Sequence, residues 1–435
     1  MLHHIFTKLS SGLNVVRIPM PGVNSVTVLA LANTGSRYEA VSEQGIAHFF
    51  EHIVFKGTKN YSDAQVLAGA IDAIGADFNA FTSKEYTGYY VKSASSHIET
   101  SLDVVSDMLL APNIKQEDID REKGVIIEEI NMYEDNPASK VGNLFETLLF
   151  DGSGLGHDIL GTKETVSSIT SADFRRFLKK WYGLNNMVLV VSGDAKIVES
   201  EKTLDLITKY FGKETEPRES KRVNTQAISQ KELKISQEKL SVTYKKTEQA
   251  HLCIGWLGLE REDSRRYALS LLSTVLGANM SSRLFTEVRE KRGLCYYVHS
   301  DTDFYHNTGI FGASAGVDPS RIEEAISVML SEFYGLVDGS KPVTEDELKK
   351  AKDYVSGSMV LGLEDSRSVA QFFGMRKLLT DEIKSPTEVL EAFEKVTLKE
   401  VQDVARELIK KGECRMAVIG PFKSETKFKK LLGIK

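Results

Sequence analysis

TSADFRRFLKKW (170–181) leads into the strand-like run MVLVVSG (187–193), and TLKEVQDVAREL (397–408) leads into a second run that reaches Gly420. The two threonines and the two glycines are each offset by 227 residues. The openings of the halves match loosely too, SVTVLALANTG (25–35) against AHLCIGWLGLE (250–260). Two matches at one offset predict a duplicated domain, against the plainer reading of two generic helix–strand endings. Between them KETEPRESKRVNTQAISQKE (213–232) is polar and nearly devoid of large apolar side chains, the composition of a linker. The expected plan is a domain over 1–212, a linker over 213–232 and a homologous domain over 233–435.

Working outward through the first half, LNVVRIPM (13–20) and VTVLALAN (26–33) read as strands. A helix pattern covers 44–56, and another begins at Asp63 and stops at Gly75. DFNAFTS and YTGYYVKSA, within 77–94, read as two strands about a polar turn. Residues 98–111 and 115–134 carry apolar residues at helical spacing, and 151–162 form a glycine-rich loop. No regular strand–helix–strand rhythm appears, and neighbouring strands are joined by short turns. The expected class is therefore α+β, each domain a mostly antiparallel sheet with helices packed on it.

The chain has 435 residues, with 41% apolar and 27% charged side chains, which excludes collagen-like, disordered and disulfide-scaffold classes. Its formal charge of −6 disfavours a nucleic-acid binder. Three scattered cysteines, Cys253, Cys295 and Cys414, leave no cysteine metal site and fit a reducing compartment. No apolar run is long enough for a membrane span. The N-terminus lacks the cationic start and apolar core of a signal peptide, so a cytoplasmic location is expected, with no membrane partner.

The chemistry concentrates in GIAHFFEHIVFKGT (45–58). On a helix, His48 and His52 stand one turn apart on one face, so both imidazoles can reach one metal ion. Glu51 flanks that face, where a carboxylate can take a proton from a water. Two histidines and a carboxylate amid Ile46, Ala47, Phe49, Phe50 and Ile53 would be costly if unpaired, which weighs against a pair of satisfied core histidines. A catalytic zinc asks for a third protein ligand. DREKGVIIEEINMYEDNP (120–137) offers Glu122 and Glu129 on one helix face, with Glu128 rotated away. By composition alone these glutamates read equally well as a solvated face. His157, in the glycine-rich loop, is better read as a loop polar residue than as a ligand.

HFFEH, NAFTS and EKGVIIEE together resemble the inverted-zincin M16 family, the group of pitrilysin, insulinase and mitochondrial processing peptidase. Size and two-half plan are similar to its short bacterial-type members, and the resemblance runs over essentially the whole chain. It implies one zinc ion per chain on His48, His52 and Glu129, with Glu51 as base. Glu129 lies 77 residues after His52, as the family's ligand spacing implies. Glu122 matches an acidic position that supports the site by hydrogen bonding. Asn79, Ala80 and Phe81 fall where the family has an edge strand beside the metal, and an open edge pairs with an extended peptide. In MSSRLFTEVREKRGLCYYVHS (280–300), Arg289 and Tyr296 match the pair that completes the family's site and would hold the oxyanion. Read without the family, Arg289 belongs to a charged surface helix and Tyr296 to a core strand.

The resemblance thus implies a zinc endopeptidase that cleaves unfolded oligopeptides inside a closed chamber. It also implies a dimer, with a homodimer first and a heterodimer with a metal-free paralogue second. The rival reading is a non-catalytic peptide-binding or scaffold subunit of a heterodimeric peptidase. A metal-dependent hydrolase of non-peptide substrates is a third.

Overall fold

The computed structural model describes residues 2–212, 218 and 222–434. Strands β1 (Ile5–Lys8), β2 (Asn14–Met20), β3 (Ser25–Ala32), β4 (Asp77–Thr82), β5 (Thr87–Ala94) and β6 (Met187–Asp194) form one sheet in the order β1-β2-β6-β3-β5-β4. Strands β7 (Leu240–Tyr244), β8 (Ala250–Gly258), β9 (Cys295–Phe304), β10 (Gly309–Val317) and β11 (Arg415–Gly420) form the other, in the order β7-β11-β8-β10-β9. Without β1 the two orders coincide strand for strand. Each sheet has a single parallel pair, β2 with β6 and β7 with β11, among antiparallel neighbours. This is the α+β, mostly antiparallel architecture that the short turns implied.

The duplication is visible in the cores as well. Val26, Val28, Ala30 and Ala32 of β3 face the first core, and Ala250, Leu252, Ile254 and Trp256 of β8 face the second. Leu189 and Val191 correspond to Met416 and Val418, which keeps the offset of 227 residues. Val28 pairs with Val191 and Leu252 with Val418, so β3 and β8 correspond at an offset of 224. The loosely matched openings (25–35 and 250–260) are therefore one residue out of step. In a strand such a slip turns every side chain to the wrong face.

The first five helices of the first half are α1 (Ile46–Ile53), α2 (Ala64–Asp72), α3 (Ile98–Leu110), α4 (Gln116–Asp135) and α5 (Pro137–Phe150). Asp63 caps α2 by accepting the Gln65 and Val66 N–H groups. Thr170 and Thr397, the two threonines of the repeat, each close a capping box, with Asp173 and Glu400 respectively.

The described chain gathers into two compact units that are not contiguous in sequence. One holds Met1–Ile130, His157–Ile228 and Met359–Glu388; the other holds Asn131–Gly156, Ser229–Ser358 and Val389–Lys435. The reason lies in the strands. All but one residue of β2 and of β6 are buried, so that sheet must be covered on both faces. The helix Ser366–Thr380, from the second half, supplies the outer cover, with Val369, Ala370, Phe373 and Leu378 against Val16, Ile18, Leu29, Leu31, Val188 and Val190. Reciprocally, α5 covers the second sheet, with Val141, Phe145, Leu149 and Phe150 against Cys253, Ile310, Ala417 and Ile419. The expected spans 1–212 and 233–435 follow the chain, whereas the spatial units each take one helix from the other half. Residues 225–232 of the expected linker form a helix, and 213–217 and 219–221 lie outside the described residues. Among the described residues no helix is long and apolar enough to cross a membrane.

Candidate metal centre

Helix α1 follows Gly45, whose φ of 90° suits glycine and whose pro-side-chain direction points into the Leu160 carbonyl. Its apolar face is anchored by Phe49 and Phe50, which pack edge-on against Phe174 and Tyr182 respectively. This leaves His48 and His52 side by side, ring centroids 4.7 Å apart. From α4, Glu129 Oε2 lies 3.7 Å from His48 Nε2 and 3.5 Å from His52 Nε2. One ligand atom from each of the three falls within 4.8 Å of the other two, the one such grouping among the described residues. Glu128 is exposed and takes no part in that grouping.

The surroundings prepare these atoms to hold a cation. Burial, reinforced by neighbouring His52, pushes the His48 pKa down to about 3, so its imidazole is neutral with a lone pair to offer. His52 Nδ1 sits 3.0 Å from Glu122 Oε1, an arrangement in which Nδ1–H donates to the carboxylate and Nε2 is the ring atom turned toward Glu129. Glu122 Oε2 is held in turn by Lys56 Nζ at 2.6 Å. Burial raises the Glu122 carboxyl, but its bonds to His52 and Lys56 outweigh that and hold it below the ordinary range. Glu129 is raised by burial, with His52 opposing. Two imidazole nitrogens and one carboxylate oxygen are a donor set that suits zinc, and three protein ligands are the number a catalytic zinc takes.

Glu51 lies on the flank of α1, and its Oε2 accepts from Thr82 Oγ1 at 2.6 Å. Burial raises its pKa, against the Thr82 bond and His52 and with the help of Glu129. Thr82 ends β4, the edge strand, which among the described residues pairs with β5 alone. Ala80 faces the first core, on the side of α1, whereas Phe81 packs on the opposite face of the sheet. Asn79 alternates with Ala80 and so points away with Phe81. Its Oδ1 accepts the Ala80 N–H at 2.9 Å. Of the three expected strand residues, then, only Ala80 directs its side chain toward the helix of the metal ligands.

Arg289 and Tyr296 belong to the second unit. A π-helical turn, Phe285–Glu290, and Gly293 at φ 58° fold the chain back so that the Arg289 guanidinium lies over the Phe285 and Tyr296 rings, at 4.8 and 5.7 Å. Tyr296 is 72% exposed, which removes the core-strand reading. The sequence reading missed Glu39, whose carboxylate holds the first turn of α1. No local pattern marks it, since its partners are backbone N–H groups.

Two sheets of one plan, with a two-histidine, one-glutamate cradle among the described residues of the first alone, define a duplicated chain with a candidate metal site in one half. Residues 15–163 match the family described as insulinase (peptidase family M16), and residues 168–355 match the one described as peptidase M16 inactive domain. The chain belongs to peptidase family M16. An uncharacterized zinc protease of Streptomyces coelicolor is 37% identical over 419 residues, covering 96% of this chain and 90% of that one. The uncharacterized zinc protease YmxG of Bacillus subtilis is 36% identical over 414 residues, covering 94% and 97%. Two crystal structures share the fold. A protease from Helicobacter pylori has a TM-score of 0.86 at 24% identity, covering 97% of this chain and all of that one. A peptidase M16 inactive domain from Pseudomonas fluorescens has a TM-score of 0.85 at 19% identity, covering 97% and 99%.

Proposed function

We propose that the protein is a zinc-dependent endopeptidase with one zinc per chain, held by His48, His52 and Glu129. The observation that carries this is the convergence of those three ligand atoms beside Glu51. Zinc, when bound, polarises a carbonyl and acidifies water. Glu51, raised by burial, takes the proton of the attacking water and passes it to the departing amine nitrogen. Thr82 holds the Glu51 carboxylate in place through Oε2. Glu122, braced by Lys56, keeps the His52 Nδ1 proton and so the ring's orientation. The free edge of β4 lays an extended peptide alongside, main chain to main chain, with Asn79, Ala80 and Phe81 as the pairing segment.

Arg289 and Tyr296 are proposed to hold the substrate oxyanion, supported by their juxtaposition and the exposure of Tyr296. The family resemblance supports a homodimer enclosing a chamber, each metal centre being completed by the partner subunit's Arg289 and the partner's Tyr296. Unfolded oligopeptides are the corresponding substrates. The three free cysteines support a cytoplasmic location.

The test is cleavage of a quenched fluorogenic peptide library, with metal analysis before and after chelation. Zinc at one per chain and chelator-sensitive cleavage are expected. Zinc bound tightly with no cleavage of any peptide would overturn the reading in favour of a non-catalytic subunit. Mixing Glu51→Gln chains with Arg289→Ala chains tests sharing, since one site in each mixed dimer should regain activity.

A further inference from the structure

Beneath the metal helix lie four charged side chains with almost no access to solvent: Arg37, Glu39, Lys84 and Glu85. None takes part in the chemistry above. Ion pairs buried this deeply are a poor source of stability, because apolar residues of like volume fill the space at lower cost. What they can supply is direction. Arg37 Nη1 donates to Glu85 Oε1 at 2.7 Å, with both residues 1% exposed. The backbones carrying them are joined as well: Ser36 N–H donates to the Ser83 carbonyl at 3.2 Å and Arg37 N–H to the Lys84 carbonyl at 2.9 Å. Gly35 allows that approach, because a Cβ there would collide with both carbonyl oxygens. Lys84 Nζ donates to the His157 carbonyl at 2.6 Å. Residues 83–86 are the turn between β4 and β5, directly after Thr82. At the other end, Glu39 Oε2 accepts the Gly45 N–H and Oε1 the Ala47 N–H, both at 2.8 Å. His48 is the next residue.

The second half serves as an internal control. Arg261 follows β8 as Arg37 follows β3, and its N–H donates to the Tyr305 carbonyl, in the turn between β9 and β10. Its guanidinium donates to the Phe304 carbonyl. Asp263 gives its carboxylate to Arg265, through both the side chain and the N–H that precedes the next helix. That helix, Arg266–Gly277, has no side-chain cap. The arginine is thus present in both halves, whereas the acid two residues on differs: Glu39 grips the helix through two N–H groups, and Asp263 is engaged by Arg265.

We infer that Glu39 and the Arg37–Glu85 pair are positioning residues of the metal centre, which fix the start and rotation of α1 against the β4–β5 turn. They thereby set His48 and Glu51 in register with Thr82. The catalytic part of this inference rests on the metallopeptidase reading; the metal-binding part does not. Two variants test it. Glu39→Gln keeps the shape and replaces one acceptor with a donor, so that N–H faces N–H. Arg37→Met with Glu85→Leu removes the pair without leaving a lone buried charge.

The readouts are zinc affinity against a chromophoric chelator, the visible spectrum of the cobalt(II)-substituted protein, and kcat and KM separately. In both variants zinc affinity should fall ~10–100-fold and the cobalt bands should shift. kcat should fall by a similar factor, while KM stays within about twofold. If either variant retains native circular dichroism together with wild-type zinc affinity and an unchanged cobalt spectrum, the inference is overturned. If Glu39→Gln does not fold, the double variant decides. Should the wild type bind zinc yet cleave nothing, the peptidase reading fails, while affinity and spectrum still decide the positioning role.

Discussion

In the first half, the helix that follows the third strand runs IAHFFEHI; its counterpart in the second half runs RYALSLLSTVLG. Both pack on sheets of the same strand order and one face of each is apolar, yet the second contains no histidine, cysteine, aspartate or glutamate. Glu129 on α4 likewise has its counterpart in the helix Glu345–Gly362, which carries acids only up to Asp353. The fold tolerates either content. A metal centre is therefore an addition to this scaffold rather than a condition of it, and its removal should leave the fold standing.

The sharpest break in that comparison is His52→Ala. It should abolish zinc retention and peptide cleavage while circular dichroism stays native, as in a half that never had ligands. Unfolding of the variant would show that the metal is structural. Glu51→Gln comes next. It should retain one zinc per chain and lower kcat by ~10²–10⁴-fold, the usual contribution of a general acid–base group. Turnover within a few-fold of wild type would remove Glu51 from the reaction.

A smaller effect probes what the halves share, the exchanged helices. Phe373 and Phe150 each sit fully buried in the contact that one half lends to the other's sheet. Phe373→Ala and Phe150→Ala should each cost about 3–5 kcal/mol, read as a lowered urea midpoint. By the same logic, separately expressed spans 1–212 and 233–435 should be insoluble and regain solubility when co-expressed. Either span folding alone would mean that the exchange is decorative.

Much of this was legible in residues whose signals are local. Asp63, Thr170 and Thr397 announce helix starts because a side-chain oxygen satisfies N–H groups two or three positions on. The pair His48 and His52 is legible because helical spacing alone puts both rings on one face. The exchange of helices was not: PASKVGNLFETLLF shows an apolar face at Val141, Phe145 and Leu149 but nothing about which sheet it meets. Glu39 and Glu85 look in sequence like any surface acids. Their burial depends on Arg37 and on two backbone amides brought to them by the fold. Asn79 and Phe81 shared a motif with Ala80, but strand alternation sends them to the other face.

The finest test of the two-half comparison is Glu122→Gln. Helix Glu345–Gly362 presents buried Leu348 and Ala351 to its core, where α4 presents Ile119 and Glu122 at the same spacing. A glutamate among apolar neighbours is thus specific to the half with ligands, and its two oxygens are committed, one to His52 and one to Lys56. Gln keeps the volume and one acceptor but cannot serve both donors as a charge. If Glu122 acts through the His52 ring, zinc should bind ~10–100-fold more weakly, with thermal stability little changed. Lys56→Met should follow in the same direction by a smaller factor, because it removes the brace and leaves the acceptor. Wild-type zinc affinity in Glu122→Gln would instead make this carboxylate a packing feature that happens to lie beside a candidate ligand, and Glu122 would drop out of the contrast between the two halves.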